Sequence, residues 1–313
     1  MSAAIAVTVQ VVVVVVLAPL VTGISRQARA RLEGRAGAGV VQPWRDLRKL
    51  MAKRPIHAAG TSWVTLLAPL TLLGSGLLLA ALVPLVTTIG PALVPGDLFV
   101  VVSVLLVGTV ALALLGLDAG SPFGGMGSSR HMMIAALVEP TVLVAVYALS
   151  IPAGSSTLGR IVATRLEHPS SIASPAGVLA VVALVVVLLA ETGRLPIDNP
   201  ATHLELTMIH EAMVLETSGR DLALVELGSW LRLTVLLGLV GNLVVPWGVA
   251  GAVTVPALAI GAATVTVKVA LLAAVLGAAE VGLAKLRLFR VPELLAGSFV
   301  LAFLAVTASS LVA

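Results

Sequence analysis

The sequence predicts an all-α polytopic integral membrane protein of about eight transmembrane helices, and three observations carry that prediction. The chain of 313 residues is 59% hydrophobic and only 11% charged, against roughly 25% charged residues in soluble domains. Its mean hydropathy is +1.12. Apolar stretches recur from end to end, and a helix of about 20 such residues crosses a bilayer, so a soluble enzyme with one membrane anchor is excluded. Cysteine is absent, which removes disulfides, cysteine-ligated zinc and cysteine-ligated iron-sulfur clusters from this chain. Any redox centre it serves belongs to a partner.

The expected spans lie at about 3–23, 63–86, 97–117, 132–151, 173–190, 222–245, 252–278 and 293–312, within a single membrane domain covering 1–313. The first contains VVVVVV, a β-branched tract that in water favours a strand. In lipid a lone strand leaves its backbone unpaired, so a helix is predicted. Pro69 and Pro84 kink the second span or mark its ends, and Pro256 allows a break near the start of the seventh. The first span has no positive segment before it and runs straight into a basic loop, so it reads as an uncleaved span rather than a signal peptide.

Charge placement sets the expected orientation. Nine of the nineteen Lys and Arg fall between Arg26 and Arg54, a positive-inside signal rather than a nucleic-acid face. With 25–62 cytoplasmic, eight spans put the loops at 118–131, 191–221 and 279–292 on the same side and both termini outside. Fifteen of the nineteen basic residues then face the cytoplasm, Arg160 and Arg165 lie outside, and Arg232 and Lys268 fall within spans. In the basic loop, Trp44, Leu47, Leu50 and Met51 form the apolar side of an interfacial helix whose polar side carries Arg45, Arg48, Lys49 and Lys53. Asp46 pairs with an arginine of that loop or lines a cavity facing it.

The polar island is Glu191 to Arg220, ETGRLPIDNPATHLELTMIHEAMVLETSGR, with Asp221 directly after it. Six of the fifteen carboxylates sit here: Glu191, Asp198, Glu205, Glu211, Glu216 and Asp221. Ionised groups beside hydrocarbon are costly unless paired or wetted, so a cluster of this size is a functional candidate. Arg194, Pro196 and Pro200 interrupt any continuous helix, and Thr202 to Glu216 forms one again. Neither the spacing of His203, Glu205 and His210 nor the HLELTMIHE string matches the HExxH zinc motif. The GGMG of SPFGGMGSSR lacks the ending of a phosphate loop and is expected to make a tight turn before Arg130.

Three charges lie in or beside the spans. Glu139 sits in an apolar helix and serves either in transport and coupling or in a static ion pair. Lys268 requires water or a carboxylate, Glu139 or a neighbouring subunit being the candidates. Glu280 lies near the end of the seventh span. In the outside loop, Arg160, Arg165, Glu167 and His168 read as exposed charge.

Five stretches in order, GRAGAGVVQPWRDLRKL, SPFGGMGSSR with Glu139, the polar island, Lys268 and AEVGLAKLRLFRVPE, resemble the membrane subunit shared by group 4 membrane-bound NiFe hydrogenases, including formate hydrogenlyase, and by respiratory complex I as its subunit 1. Within the polar island, Ala190, Glu191, Arg194, Pro196, Asp198, Pro200, Glu205, Leu206, Glu216 and Gly219 match the complex I pattern. The chain departs from it at Asn199, His203, His210 and Thr217, in the manner of the hydrogenase branch, and at Ala36 and Ala38 in the basic loop. The resemblance implies a complex I subunit 1-like fold and a non-catalytic subunit of an oxidoreductase complex in a prokaryotic inner membrane. It implies partners that hold the NiFe centre and iron-sulfur clusters, namely the hydrogenase large and small subunits and an iron-sulfur subunit, together with antiporter-like membrane subunits, and no nucleic acid. A quinone is the less favoured occupant.

By that resemblance Arg45, Asp46, Arg130 and Arg194 line an interface or cavity. Glu139, Glu191, Asp198, Glu205, Glu211, Glu216, Lys268 and Glu280 form a coupling or proton path. Three other readings stand beside this one: the quinone-cavity subunit of complex I, a purely structural anchor, and an autonomous secondary transporter.

Overall fold

The computed structural model describes residues 3–91, 96–168, 173–198 and 208–312. The described residues form helices α1 (Ala3–Leu32), α2 (Gln42–Met51), α3 (Val64–Leu82), α4 (Leu98–Asp118), α5 (Pro122–Ser150), α6 (Leu158–Glu167), α7 (Pro175–Glu191), α8 (His210–Val214), α9 (Gly219–Val244), α10 (Val255–Gly282) and α11 (Val291–Val312). Seven of these, α1, α3, α4, α5, α9, α10 and α11, are long and apolar enough to cross a membrane, while α7 is an apolar helix of 17 residues. At 1.5 Å per residue α7 is about 26 Å long, close to the thickness of a bilayer core, so the eight expected spans are all found as helices.

The bundle is a row. α10 packs on α1, α1 on α9, α9 on α3, α3 on α4 and α4 on α5, with α7 and α11 packed together on α5. The middle position of α9 is visible in its burial, 78% of its apolar window against 28% for α10 and for α11. Trp63 at the start of α3 and Trp247 just beyond α9 are both strongly exposed, at 69% and 67%, and sit where aromatic side chains favour the lipid–water boundary.

Helices emerge from the expected spans at their polar ends. α1 continues to Leu32, carrying Arg29 and Arg31 in its last turn, where cations complement the helix dipole. α2 buries Leu47 and half-buries Trp44 and Leu50, as the interfacial reading expects, but Met51 is exposed. The expected loop at 118–131 is mostly helix. Ser121 caps α5 by accepting from the Gly124 N–H, with Pro122 in the first turn. GGMG is therefore a packing surface rather than a tight turn: a Cβ on Gly124 would lie 2.2 Å from the Gly116 carbonyl oxygen, and one on Gly127 would lie 2.9 Å from the Ala212 methyl. Small residues let backbones approach this closely.

The end opposite to the polar island is stitched across a non-helical stretch. α3 stops at Leu82, and Pro69 lies inside it while Pro84 falls in the segment that follows. Backbone groups without a helix need other partners at membrane depth. Gln10, 2% exposed, provides them: its Nε2 donates to the Ala80 and Val83 carbonyls and its Oε1 accepts from the N–H groups of Leu85, Val86 and Thr87. Asn242 donates to the Pro84 and Leu85 carbonyls. Lys268 donates to Asn242 Oδ1 at 3.0 Å and to the Trp247 carbonyl at 2.6 Å. Its partners within the chain are thus an amide and a carbonyl, and of the candidate partners Glu139 is not one, because Lys268 serves the end of the bundle where α9 terminates. Pro256 stands in the first turn of α10 and begins that helix rather than breaking it.

The loop expected to lie outside holds α6, a short amphipathic helix that buries Leu158, Ile161 and Val162. Arg165 lies on the same face and is 4% exposed, with Nε and Nη1 unpartnered, so the reading of exposed charge fails at this residue. Burial lowers its pKa from the usual arginine range. Arg160, Glu167 and His168 are exposed as expected.

Candidate functional site: a charged cavity at one end of the bundle

The four inter-helix segments that hold most of the charge are tied together at one end of the bundle. Ser218 Oγ accepts from the Ile56 N–H and donates to its carbonyl, and His57 Nε2 lies 2.7 Å from Asp221 Oδ2. The carboxylate of Asp118 accepts from the backbone and hydroxyls of Ser62 and Thr65. The Leu286 N–H donates to the Pro196 carbonyl at 2.9 Å, and Arg130 Nη1 to the Met208 carbonyl at 3.1 Å.

Beneath these ties a cavity of about 420 Å3 enters the bundle. Its walls come from the ends of α1, α7 and α10, from α5 and α9, from the segment between α7 and α8, and from the start of α8. Leu72, Leu112, Ile134, Trp230 and Leu233 give it an apolar floor, and its charged groups are Arg26, Arg29, Arg194, Arg232, Glu191, Asp198, Glu211, Glu226 and Glu280, joined by His131 and His210.

Ion pairs organise this wall. Glu280, 3% exposed at its side chain, receives Arg194 Nη1 at 3.0 Å and Arg29 Nη1 at 3.5 Å, joining α10, α1 and the segment after α7. Asp198 Oδ2 accepts the Ile209 and His210 N–H groups at 3.2 and 3.0 Å, while Lys285 Nζ lies 3.7 Å from Oδ1. A carboxylate holding backbone donors on one oxygen and a cation on the other fixes the start of α8. Deeper, Arg232 Nη2 pairs with Glu191 and also donates to the Leu105 carbonyl and the Thr109 hydroxyl. Gly108 stands beside it, where an added Cβ would lie 2.7 Å from the Ser75 hydroxyl.

The cavity collects Glu191, Asp198, Arg194, Glu211 and Glu280 from the residues singled out in the sequence. Glu139 is not on its wall; it lies 8% exposed inside α5, within electrostatic reach of Arg232 and beside Thr109. Arg45 and Asp46 are on α2, where Gln42 donates to Asp46 and no arginine of the loop reaches it among the described contacts. Arg130 holds the segment before α8, Glu216 is exposed, and Lys268 is at the other end. Glu205, with Asn199, Pro200 and His203, lies outside the described residues, as do residues 202–207 of the expected helix from Thr202 to Glu216; of its described part, His210–Val214 is helical.

Sequence reasoning missed Arg26, Arg29, His131, His210 and Glu226 as cavity residues and left Arg232 without a role. Arg232 was the recoverable one, because an arginine inside an apolar span is a functional candidate by itself. Glu226 is hidden by the apolar run around it. Among the described residues no group of three or more His, Cys, Asp or Glu is placed to hold a metal ion.

The described helices make an all-α polytopic membrane protein with a complex I subunit 1-like fold. The structure of the membrane-bound sulfane sulfur reductase, an archaeal respiratory membrane complex, contains a chain that superposes with a TM-score of 0.82 at 18% identity, covering 99% of this chain and 100% of that one. The family model described as NADH dehydrogenase matches residues 4–310, and the chain belongs to that family. It is 33% identical to formate hydrogenlyase subunit 4 of Escherichia coli (strain K12) over 297 residues, 95% of each chain. It is 35% identical to hydrogenase-4 component C of the same organism over 237 residues, 76% of this chain and 74% of that one.

Proposed function

We propose that the chain is the membrane-anchoring and proton- or ion-coupling subunit of a membrane-bound NiFe hydrogenase or formate hydrogenlyase-like complex. It links a peripheral redox arm, which carries the NiFe centre and iron-sulfur clusters, to antiporter-like membrane subunits. The cavity carries the reading. Its mouth lies among the segments that a peripheral partner reaches, and its deepest ion pair, Arg232–Glu191, stands beside Glu139 within the bundle. The full-length likeness to formate hydrogenlyase subunit 4 supports the assignment to the hydrogenase branch.

In this reading the cavity faces the cytoplasm and both termini lie outside, in keeping with the nine basic residues between Arg26 and Arg54. A redox event in the arm shifts the segments around α8. Asp198 and Glu280 pass the shift to Arg194, Arg29 and the helix ends, and rearranged charge reaches Glu139. Glu211 belongs to the same acidic mouth, and Arg45, Asp46, Arg130 and Glu216 to the docking surface around it; Glu205 joins the path by the family resemblance alone. Lys268 marks the far end of the charged path, toward the neighbouring membrane subunits.

Purification in mild detergent with identification of the partners and metal analysis tests the assignment. A NiFe large subunit and bound nickel and iron are expected. Recovery of a quinone-reducing complex without nickel would move the chain to the complex I branch, and recovery of an active transporter from the chain alone would refute the assignment.

A further inference from the structure

Arg232 and Lys268 are the two basic residues that fall within the spans read from the sequence, and they are compensated differently. Arg232 holds Glu191. Lys268 meets only neutral acceptors, Asn242 Oδ1 and the Trp247 carbonyl, and no carboxylate among the described residues pairs with it. An ammonium carries three donors, so one remains. Cations on membrane helices pair with an anion or reach water, because hydrocarbon solvates them poorly.

The surface around Lys268 shows from which side an anion comes. α10 ends the row, packed on α1 and more lightly on α9. Its outer side carries Ile260, Val267, Leu271 and Val275, between 56% and 68% exposed. Leu271 and Val275 follow Lys268 by three and seven residues and share its side of the helix. The partly exposed ammonium therefore stands at the edge of an apolar stripe, where that stripe borders α9. Apolar side chains flank it both ways along α10, a surround that another membrane helix matches and that a hydrated lipid headgroup does not. A second copy of this chain, meeting the first through the same face, brings no anion: the one carboxylate of α10 is Glu280, already held by Arg29 and Arg194.

We infer that the outer face of α10 is the seat of a membrane helix from a neighbouring subunit, and that an Asp or Glu of that helix pairs with Lys268. The inference names the contact through which the chain links to its membrane neighbours, and rests on that linking role. Asn242 and the Trp247 carbonyl fix the ammonium from within, and the neighbour's carboxylate takes the remaining donor, a charge-assisted bond that sets the register of the incoming helix. Asn242 also donates to the Pro84 and Leu85 carbonyls, so the pair is joined directly to the non-helical stretch after α3.

The test uses the whole complex in native membranes and in mild detergent. A photo-reactive side chain is placed beside the intact lysine by Leu271→p-benzoylphenylalanine, and the cross-linked peptide is identified by mass spectrometry. A membrane helix of another subunit with an Asp or Glu facing the cross-link is expected. Cross-links only to lipid, to a second copy of this chain or to a helix without a carboxylate overturn the inference. Lys268→Met is expected to lower retention of that subunit in detergent about 30-fold, the low end for truncating one partner of a desolvated charge pair, while Lys268→Arg retains it. Exchanging the charges, Lys268→Glu together with a lysine in place of the neighbour's carboxylate, restores retention, a rescue that packing alone would not give. Unchanged retention with Lys268→Met overturns the pairing. If the expected cross-link forms in a complex without nickel, the inference stands and the hydrogenase assignment fails. If a nickel-containing complex gives cross-links to lipid alone, the assignment stands and the inference fails.

Discussion

Replacing Arg232 with methionine is expected to destabilise the folded chain by roughly 3–5 kcal/mol, the cost of removing one partner from a buried ion pair. Arg232 is 7% exposed and holds Glu191 at the end of α7 together with the Leu105 carbonyl and the Thr109 hydroxyl of α4. Without it, two carboxylates, Glu191 and Glu139, remain in the bundle with no cation. Thermal unfolding in detergent, followed by size-exclusion chromatography, reads the effect. The double variant Arg232→Met with Glu191→Gln is expected to recover much of the loss, because it removes the uncompensated charge along with its partner. An equally unstable double variant would show that packing, rather than charge, is what Arg232 supplies.

Replacing Glu280 with alanine should act on the mouth of the cavity. Its carboxylate receives both Arg29 and Arg194, so its loss strands the Arg194 guanidinium, 12% exposed, and leaves Arg29, 18% exposed, paired with Glu33 alone. The expected cost is again roughly 3–5 kcal/mol at most, reduced because both arginines can turn toward water. The more telling change is local. The segment from Thr192 to Asp198 loses its tie to α10 and keeps only the Leu286–Pro196 backbone bond and the Asp198 contacts. Limited proteolysis is expected to cut this segment in the variant and not in the unaltered complex, with binding of the peripheral arm weakened in parallel. Unchanged protection would mean that Asp198 alone holds the mouth.

Hydropathy made the spans legible because lipid leaves the backbone few alternatives to a helix, and the VVVVVV tract is helical for that reason. It did not reveal where helices end. α1 runs on through Arg26 and Arg29 because a helix is not obliged to stop where the apolar run does. GGMG was misread because glycine signals a turn in water, whereas beside α4 and α8 it signals close approach; the Ser121–Pro122 start of α5 was the better signal. α6 was hidden by its two arginines, one of which, Arg165, lies on the buried face.

The candidate site was legible as a cluster and illegible as a geometry. Glu191, Arg194, Asp198, Glu211 and Glu280 stood out against the apolar background, and the family resemblance gave them a shared place. Their partners are another matter. Glu191 meets Arg232 across 41 residues and Arg194 meets Glu280 across 86, separations that no local spacing rule reaches. The partner of Lys268 stayed open for the same reason: a charge in a span demands compensation, but the backbone carbonyl and the amide that meet it are invisible until the helices are placed.

The central claim is that charge rearrangement at the cavity is coupled to ion movement through Glu139. It is tested most directly by proton translocation per electron pair in vesicles containing the intact complex, unaltered and with Glu139→Gln. Retained redox turnover with translocation reduced about 100-fold, on the scale of a lost proton-transfer group, is the predicted result. Full translocation by Glu139→Gln in an assembled, active complex would contradict the account.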